Sequence, residues 1–178
     1  MGSLTESLRR FVLVVGLTIV GTVSAAACSR VGPFSFDELF TADVIVRAAA
    51  ARYVVQPDPN MRTTGVPESQ VEFDVREVLS GDFGEKTIIL KGYLSDRDDF
   101  NDVKVPYTFV RPMGRSGSCY ANTYKQGADF LLFLEKDGGF FSPNVSPLGP
   151  SNEQLRGSKD PWLEWVRKEI DRRKRTNK

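Results

Sequence analysis

The residues best able to do chemistry in this chain are its two cysteines, Cys28 and Cys119. Cys28 follows Ala25-Ala26-Ala27 at the end of an apolar leader, so cleavage after Ala27 would make it the first residue of the mature chain. Such an end carries an α-amine and a carbonyl within one residue, beside a sulfur that can tie the end down or carry lipid. Two thiols are too few for a four-thiolate metal site, and their spacing rules out Cys-x-x-Cys redox chemistry. They suffice for one disulfide in an oxidising compartment. The other fate is that of bacterial lipoproteins, in which Cys28 is lipidated and Cys119 is left alone; Ala25 stands where such signals usually have leucine. On residues alone both fates stand.

Histidine is absent, which removes the usual general base, every Ser/His/Asp or Cys/His catalytic set and most zinc-ligand sets. With no recognisable nucleophile or phosphate-binding loop, the chain reads as a non-enzyme that needs no cofactor. Lysine and arginine number 24 against 23 acidic residues, a net charge of +1, and this balance argues against nucleic acid as a partner. Two charge runs stand out. Ser95 to Asp102 is acidic, but a calcium loop would need an oxygen ligand where Phe100 stands and a glycine near Asn101, so a solvated loop is expected. Arg172-Arg173-Lys174-Arg175 could hold an anionic glycan or simply complement a helix dipole. Asn144-Val145-Ser146 is a formal N-glycosylation acceptor, meaningful only in a eukaryotic host.

The elements that must position these groups follow from pattern. Residues 1–27 read as a secretory signal, with Arg9-Arg10 before an apolar run from Phe11 to about Val23, so the protein is expected outside the cytoplasm: secreted, or periplasmic or envelope-anchored in a bacterium. Residues 28–178 suffice for one domain with a single sizeable core, expected as a monomer. After an arm with one helical turn near Phe34 to Phe40, strands are expected over Ala42 to Val55, Val71 to Leu79 and Lys86 to Leu90, with a long exposed loop from Gln56 to Pro67. Val71, Phe73 and Val75 alternate with polar residues. Periodicity fails from Gly92 to Gln126. Phe130 to Leu134 is an apolar strand, and Asp137-Gly138-Gly139 turns it into Phe140-Phe141. A terminal helix is capped by Asp160, opens on Pro161 and carries Trp162, Leu163, Val166 and Ile170 on one stripe. Five strands and a terminal helix are compatible with a small Greek-key barrel of the OB type, mainly β.

The chain resembles the inhibitory domain of the tissue inhibitors of metalloproteinases, within the netrin-like module. Cys28-Ser29 directly after the leader, the string Phe40-Thr41-Ala42-Asp43-Val44-Ile45-Val46-Arg47-Ala48, the segment Val71 to Val78, Gly127-Ala128-Asp129-Phe130-Leu131-Leu132-Phe133 and the Trp-containing final helix carry the likeness. It implies an OB-type barrel with helices packed on it. It also implies that the free amine and carbonyl of Cys28 chelate the catalytic zinc of a target metalloproteinase while the Ser29 side chain enters its specificity pocket. Cys28 is then the only metal-contacting residue, and the metal belongs to the target. The resemblance further pairs Cys119 with Cys28, places Ser118 and Tyr120 beside that bond and puts Arg30 next to the zinc contact. Such a bond would close a loop of roughly 90 residues, worth on the order of 4 kcal/mol in the chain-entropy model. An α-amine titrates near enough to neutrality for a neutral, ligating fraction to exist. Arg30 and Phe40 stand where these inhibitors have two further cysteines, and their separate C-terminal subdomain has no counterpart in the sequence.

Overall fold

The computed structural model describes residues 34–60, 67–115, 120–138, 140–143 and 148–176. Its centre is β1 (Val44–Val55), with β2 (Gln70–Ser80) antiparallel along one edge and β6 (Asp129–Asp137) antiparallel along the other. The Ala48 to Ala51 run is strand rather than helix because its small side chains let a chain lie between two neighbours and two packed faces. Val44, Val46, Ala48 and Ala50 point into one core, while Ile45 points into another. β3 (Thr87–Lys91) pairs with β2, and β7 (Phe140–Pro143) with β6, giving the order β3-β2-β1-β6-β7. Gly81 turns the chain out of β2 at φ 88°, against the carbonyl of Asp43, where a side chain would have no room.

The two ends of this path approach each other. Phe83, between β2 and β3, meets Phe141 of β7 with ring centroids 5.3 Å apart, and both pack on the core that holds Phe73, Tyr124 and Phe130. Among the described residues no hydrogen-bonded ladder joins β3 to β7.

β6 is buried on both faces, which is why Phe130 to Leu134 reads as an unbroken apolar run. Phe130, Leu132 and Leu134 face the inner core; Leu131 and Phe133 face the terminal helix, α2 (Pro161–Thr176). A short helix, α1 (Phe36–Leu39), precedes β1. The Asp160 carboxylate accepts the Trp162 amide at 2.8 Å and the Arg156 amide at 2.8 Å, so it caps α2 and fixes the chain entering it. The buried residues of α2 are the expected stripe, Trp162, Leu163, Val166 and Ile170.

Two expectations are corrected. Three short strands join the five expected: β4 (Tyr93–Ser95) runs parallel to β5 (Thr123–Lys125), and β8 (Asn152–Gln154) pairs with β6 on the edge that β7 also uses. Periodicity does not find them because each is three residues long and β8 is entirely polar. The acidic run from Ser95 to Asp102 is a solvated loop only in part, with Asp96, Arg97, Asp98 and Asp102 exposed. Asp99 is 9% exposed and Asn101 2%, because Arg111 and β8 supply charge and hydrogen-bond partners that replace water. Of the loop from Gln56 to Pro67, the described part is largely exposed up to Asn60, while Pro67 is buried.

Candidate functional site

Of the six residues expected at the inhibitory edge, Cys28, Ser29, Arg30, Ser118 and Cys119 lie outside the described residues, as does Asn144. Tyr120 is described. It is half-buried, and burial raises its phenol pKa, with a hydrogen bond involving Asn122 opposing the rise. The structure describes the two segments, or stems, that flank the expected site in sequence: the arm that begins at Phe34 and the connector on either side of residues 116–119.

The arm is clamped to α2 by aromatic rings. Ser35 caps α1 by accepting the Asp37 amide at 3.2 Å. Phe34 meets Phe36 edge-on at 4.9 Å, Phe36 meets Trp165 at 4.9 Å, Trp165 stacks on Trp162 at 5.1 Å, and Trp162 stacks on Tyr107 at 5.0 Å. Tyr107 belongs to the connector, so one continuous series of rings runs from arm to connector across the helix. Each such pair adds about 0.5–1.5 kcal/mol beyond the area it buries. At the far end of α2, Arg173 donates to Asp37 at 2.7 Å and to Glu169 at 2.7 Å, and its guanidinium lies 4.6 Å from the Phe40 ring centroid. Phe40 also meets Phe133 edge-on at 5.7 Å.

The connector is held by polar groups instead. Arg111, fully buried, pairs through Nη1 with Asp99 and donates through Nε to the Asn152 carbonyl at 3.0 Å. Its guanidinium also lies over the rings of Tyr124 at 5.5 Å and Phe130 at 5.3 Å. Glu153 accepts the Asn101 side-chain amide at 2.8 Å and the Arg111 backbone amide at 3.2 Å. Asn152 donates to the Tyr124 hydroxyl at 3.0 Å, and Gln154 accepts the Asp99 amide at 2.8 Å while donating to Asp98 at 2.6 Å. Nearer the surface, Arg115 forks onto Asp102 at 3.1 and 2.5 Å, and Lys125 donates to Asp98 at 2.8 Å.

Charge inside this network is unbalanced. Arg111 faces two buried carboxylates, and burial pushes Glu153 up to about 7 although Arg111 and Asn101 pull the other way. Burial likewise pushes the Tyr124 phenol up to about 12. The hydrogen bond from Lys125 holds Asp98 below the usual carboxylate range, and that from Arg115 does the same for Asp102. Arg111 and Glu153 are shut away from solvent, so in this conformation they meet no substrate; they dock the connector on β8.

Periodicity does not reveal Arg111, Asn152 or Glu153. The available signal was charge matching: the aperiodic connector holds Asp96, Asp98, Asp99 and Asp102 together with Arg97, Lys104, Arg111, Arg115 and Lys125. The basic tail is partly neutralised. Arg172 and Arg173 both bind Glu169, and together with Lys174 they line a groove of about 400 Å³ floored by Phe40, Ile45 and Ile170. Among the described residues no three metal-liganding side chains cluster, and no helix is long and apolar enough to cross a membrane. No protein-family model matches the chain, and no curated protein matches it.

Proposed function

We propose that this chain is a secreted inhibitor of zinc metalloproteinases built like the inhibitory domain of the tissue inhibitors of metalloproteinases. The Cys28 amine and carbonyl chelate the target's zinc, and Ser29 enters its specificity pocket. Cys119 bonds Cys28, and Arg30, Ser118 and Tyr120 form the rest of the edge. Zinc accepts nitrogen and oxygen donors and keeps an open position in catalytic sites, so an amine with its neighbouring carbonyl fits it chemically.

The observation that carries this reading is that both stems of the edge are fastened to the same domain. The arm is held by the ring series from Phe34 to Tyr107, and the connector by Asp99, Arg111 and Glu153. A chelating end held in place loses less entropy on binding than a free one. The strand order β3-β2-β1-β6-β7, with Phe83 against Phe141 where its ends approach, supports a closed OB-type barrel beneath the edge. Phe40, which stands at one of the two missing cysteine positions, supports the arm by packing against Phe133 and under Arg173.

The test is a titration of oxidised mature protein against a panel of zinc metalloproteinases, before and after selective acetylation of the Cys28 amine. Inhibition that disappears on acetylation is expected. Inhibition that survives it contradicts the chelation mechanism, and no inhibition across the panel contradicts the function.

One observation favours a second reading, a netrin-like module that binds an anionic glycan through its tail. Among the described residues Lys174 and Arg175 make no ion pair, and Lys174 lines the groove over Phe40 and Ile45. Salt-sensitive heparin binding that is lost on truncation after Ile170, without protease inhibition, would mark that function. A diacyl increment at Cys28 in the intact mass would identify a lipid-anchored envelope protein instead.

A further inference from the structure

We propose that the contact between the connector and β8 is a proton-dependent latch, closed when Glu153 holds a proton and loosened when that proton leaves. One buried guanidinium, Arg111, is the single cation for two buried carboxylates, Asp99 and Glu153. It pairs with Asp99 through Nη1 and donates to the Asn152 carbonyl through Nε, and its Nη2 has no hydrogen-bond partner among the described residues. From Arg111, Glu153 accepts only the backbone amide, at 3.2 Å. Ionising Glu153 therefore leaves an excess negative charge where water cannot reach it.

The neighbours of Glu153 supply little to offset that charge. β6 presents Leu131 opposite it. The connector brings Arg111 and Asp99, together with Tyr107, whose hydroxyl accepts from Arg156 at 3.4 Å. The Arg156 guanidinium also donates to the Asn101 carbonyl at 3.2 Å and lies 4.7 Å from the Phe100 ring centroid, so this cation is partly engaged. From β5 come Tyr124, bound to Asn152, and Lys125, bound to Asp98.

What the latch fastens is specific. Asp99, Asn101 and Arg111 all belong to the connector, and the Met113 amide donates to Asp99 at 3.1 Å, immediately before the stem that leads to Cys119 and Tyr120. Opening would free this stem while leaving the β1–β6 ladder paired. Burial raises the Glu153 carboxyl in the closed state, so its contribution to closure is fully present below its ordinary value of 4.5 and is lost as pH rises through about 7. The latch does not depend on the inhibitory reading, and its test does not use inhibition.

Amide hydrogen exchange of the folded chain, expressed as protection factors, follows the latch directly. Between about pH 5.5 and about pH 8.5, protection at Asp99, Arg111 and Met113 is expected to fall roughly tenfold or more. Protection at Val46 and Leu132 should not change. In Glu153→Gln the fall should vanish. Connector protection that stays constant in the native chain, or falls equally in the variant, overturns the proposal. Should the variant fail to fold, carbon-13 titration of the Glu153 carboxyl in the native chain decides: a midpoint near 7 is expected, and one at the ordinary carboxylate value overturns it.

Discussion

The arm and the connector are held by opposite chemistry. The arm, through Phe34, Phe36 and Phe40, lies on α2 by ring contacts that tolerate partial exposure. The connector carries a buried ion pair, Asp99 with Arg111, and supplies the Asn101 side-chain amide and the Arg111 backbone amide to the buried Glu153 carboxylate of β8. Apolar contacts weaken by degrees as area is lost, whereas a buried charge that loses its partner leaves a desolvation cost unopposed. The arm should therefore yield gradually and the connector abruptly.

The largest effect is expected at Arg111. Arg111→Met leaves Asp99 buried without its cation and should cost about 3–5 kcal/mol in urea unfolding. Joining it with Asp99→Leu should recover much of that loss, because the pair then leaves together. A double variant as unstable as the sum of the two singles would show that the contrast between polar and apolar stems is misplaced. Trp165→Ala comes next. The side chain is half-buried and touches Trp162, Phe36 and Phe40, so about 1–2 kcal/mol is expected, below the range for a fully buried ring. Exchange protection should fall across residues 36–40 and stay unchanged at Met113; a fall at both would show that the stems move as one. Trp162 is the place where such coupling would arise, since Tyr107 of the connector stacks on it. The smallest effect is expected at Asp37. Its carboxylate is 87% exposed, so Asp37→Asn should change stability by only a few tenths of a kcal/mol despite the 2.7 Å contact with Arg173. A change above about 1 kcal/mol would mean that the ion pair, rather than the rings, holds the arm.

The same contrast explains what could be read from the residues alone. The alternation of Val71 and Phe73 with polar neighbours and the helical stripe from Trp162 to Ile170 lie where hydrophobic period and burial coincide. Such elements are legible because water exclusion acts on each side chain locally. Asp99 and Glu153 look like surface residues until the fold brings Arg111 and Asn101 to them, so no local pattern marks them as buried. β8 is hidden for the same reason: Asn152, Glu153 and Gln154 are all buried, and all are polar. Cys28 and Cys119 lie outside the described residues, so the expected cleavage after Ala27 and the fate of the Cys28 sulfur rest on the sequence alone.

The proposed zinc-chelating role of Cys28 is tested most directly by adding one alanine in front of it. The extended protein keeps the arm, the connector and both cysteines, so it should unfold at the same temperature as the mature chain. It no longer offers the Cys28 amine as a free ligand, and inhibition of a metalloproteinase that the mature chain blocks should be lost. Undiminished inhibition by the extended, folded protein would contradict the account.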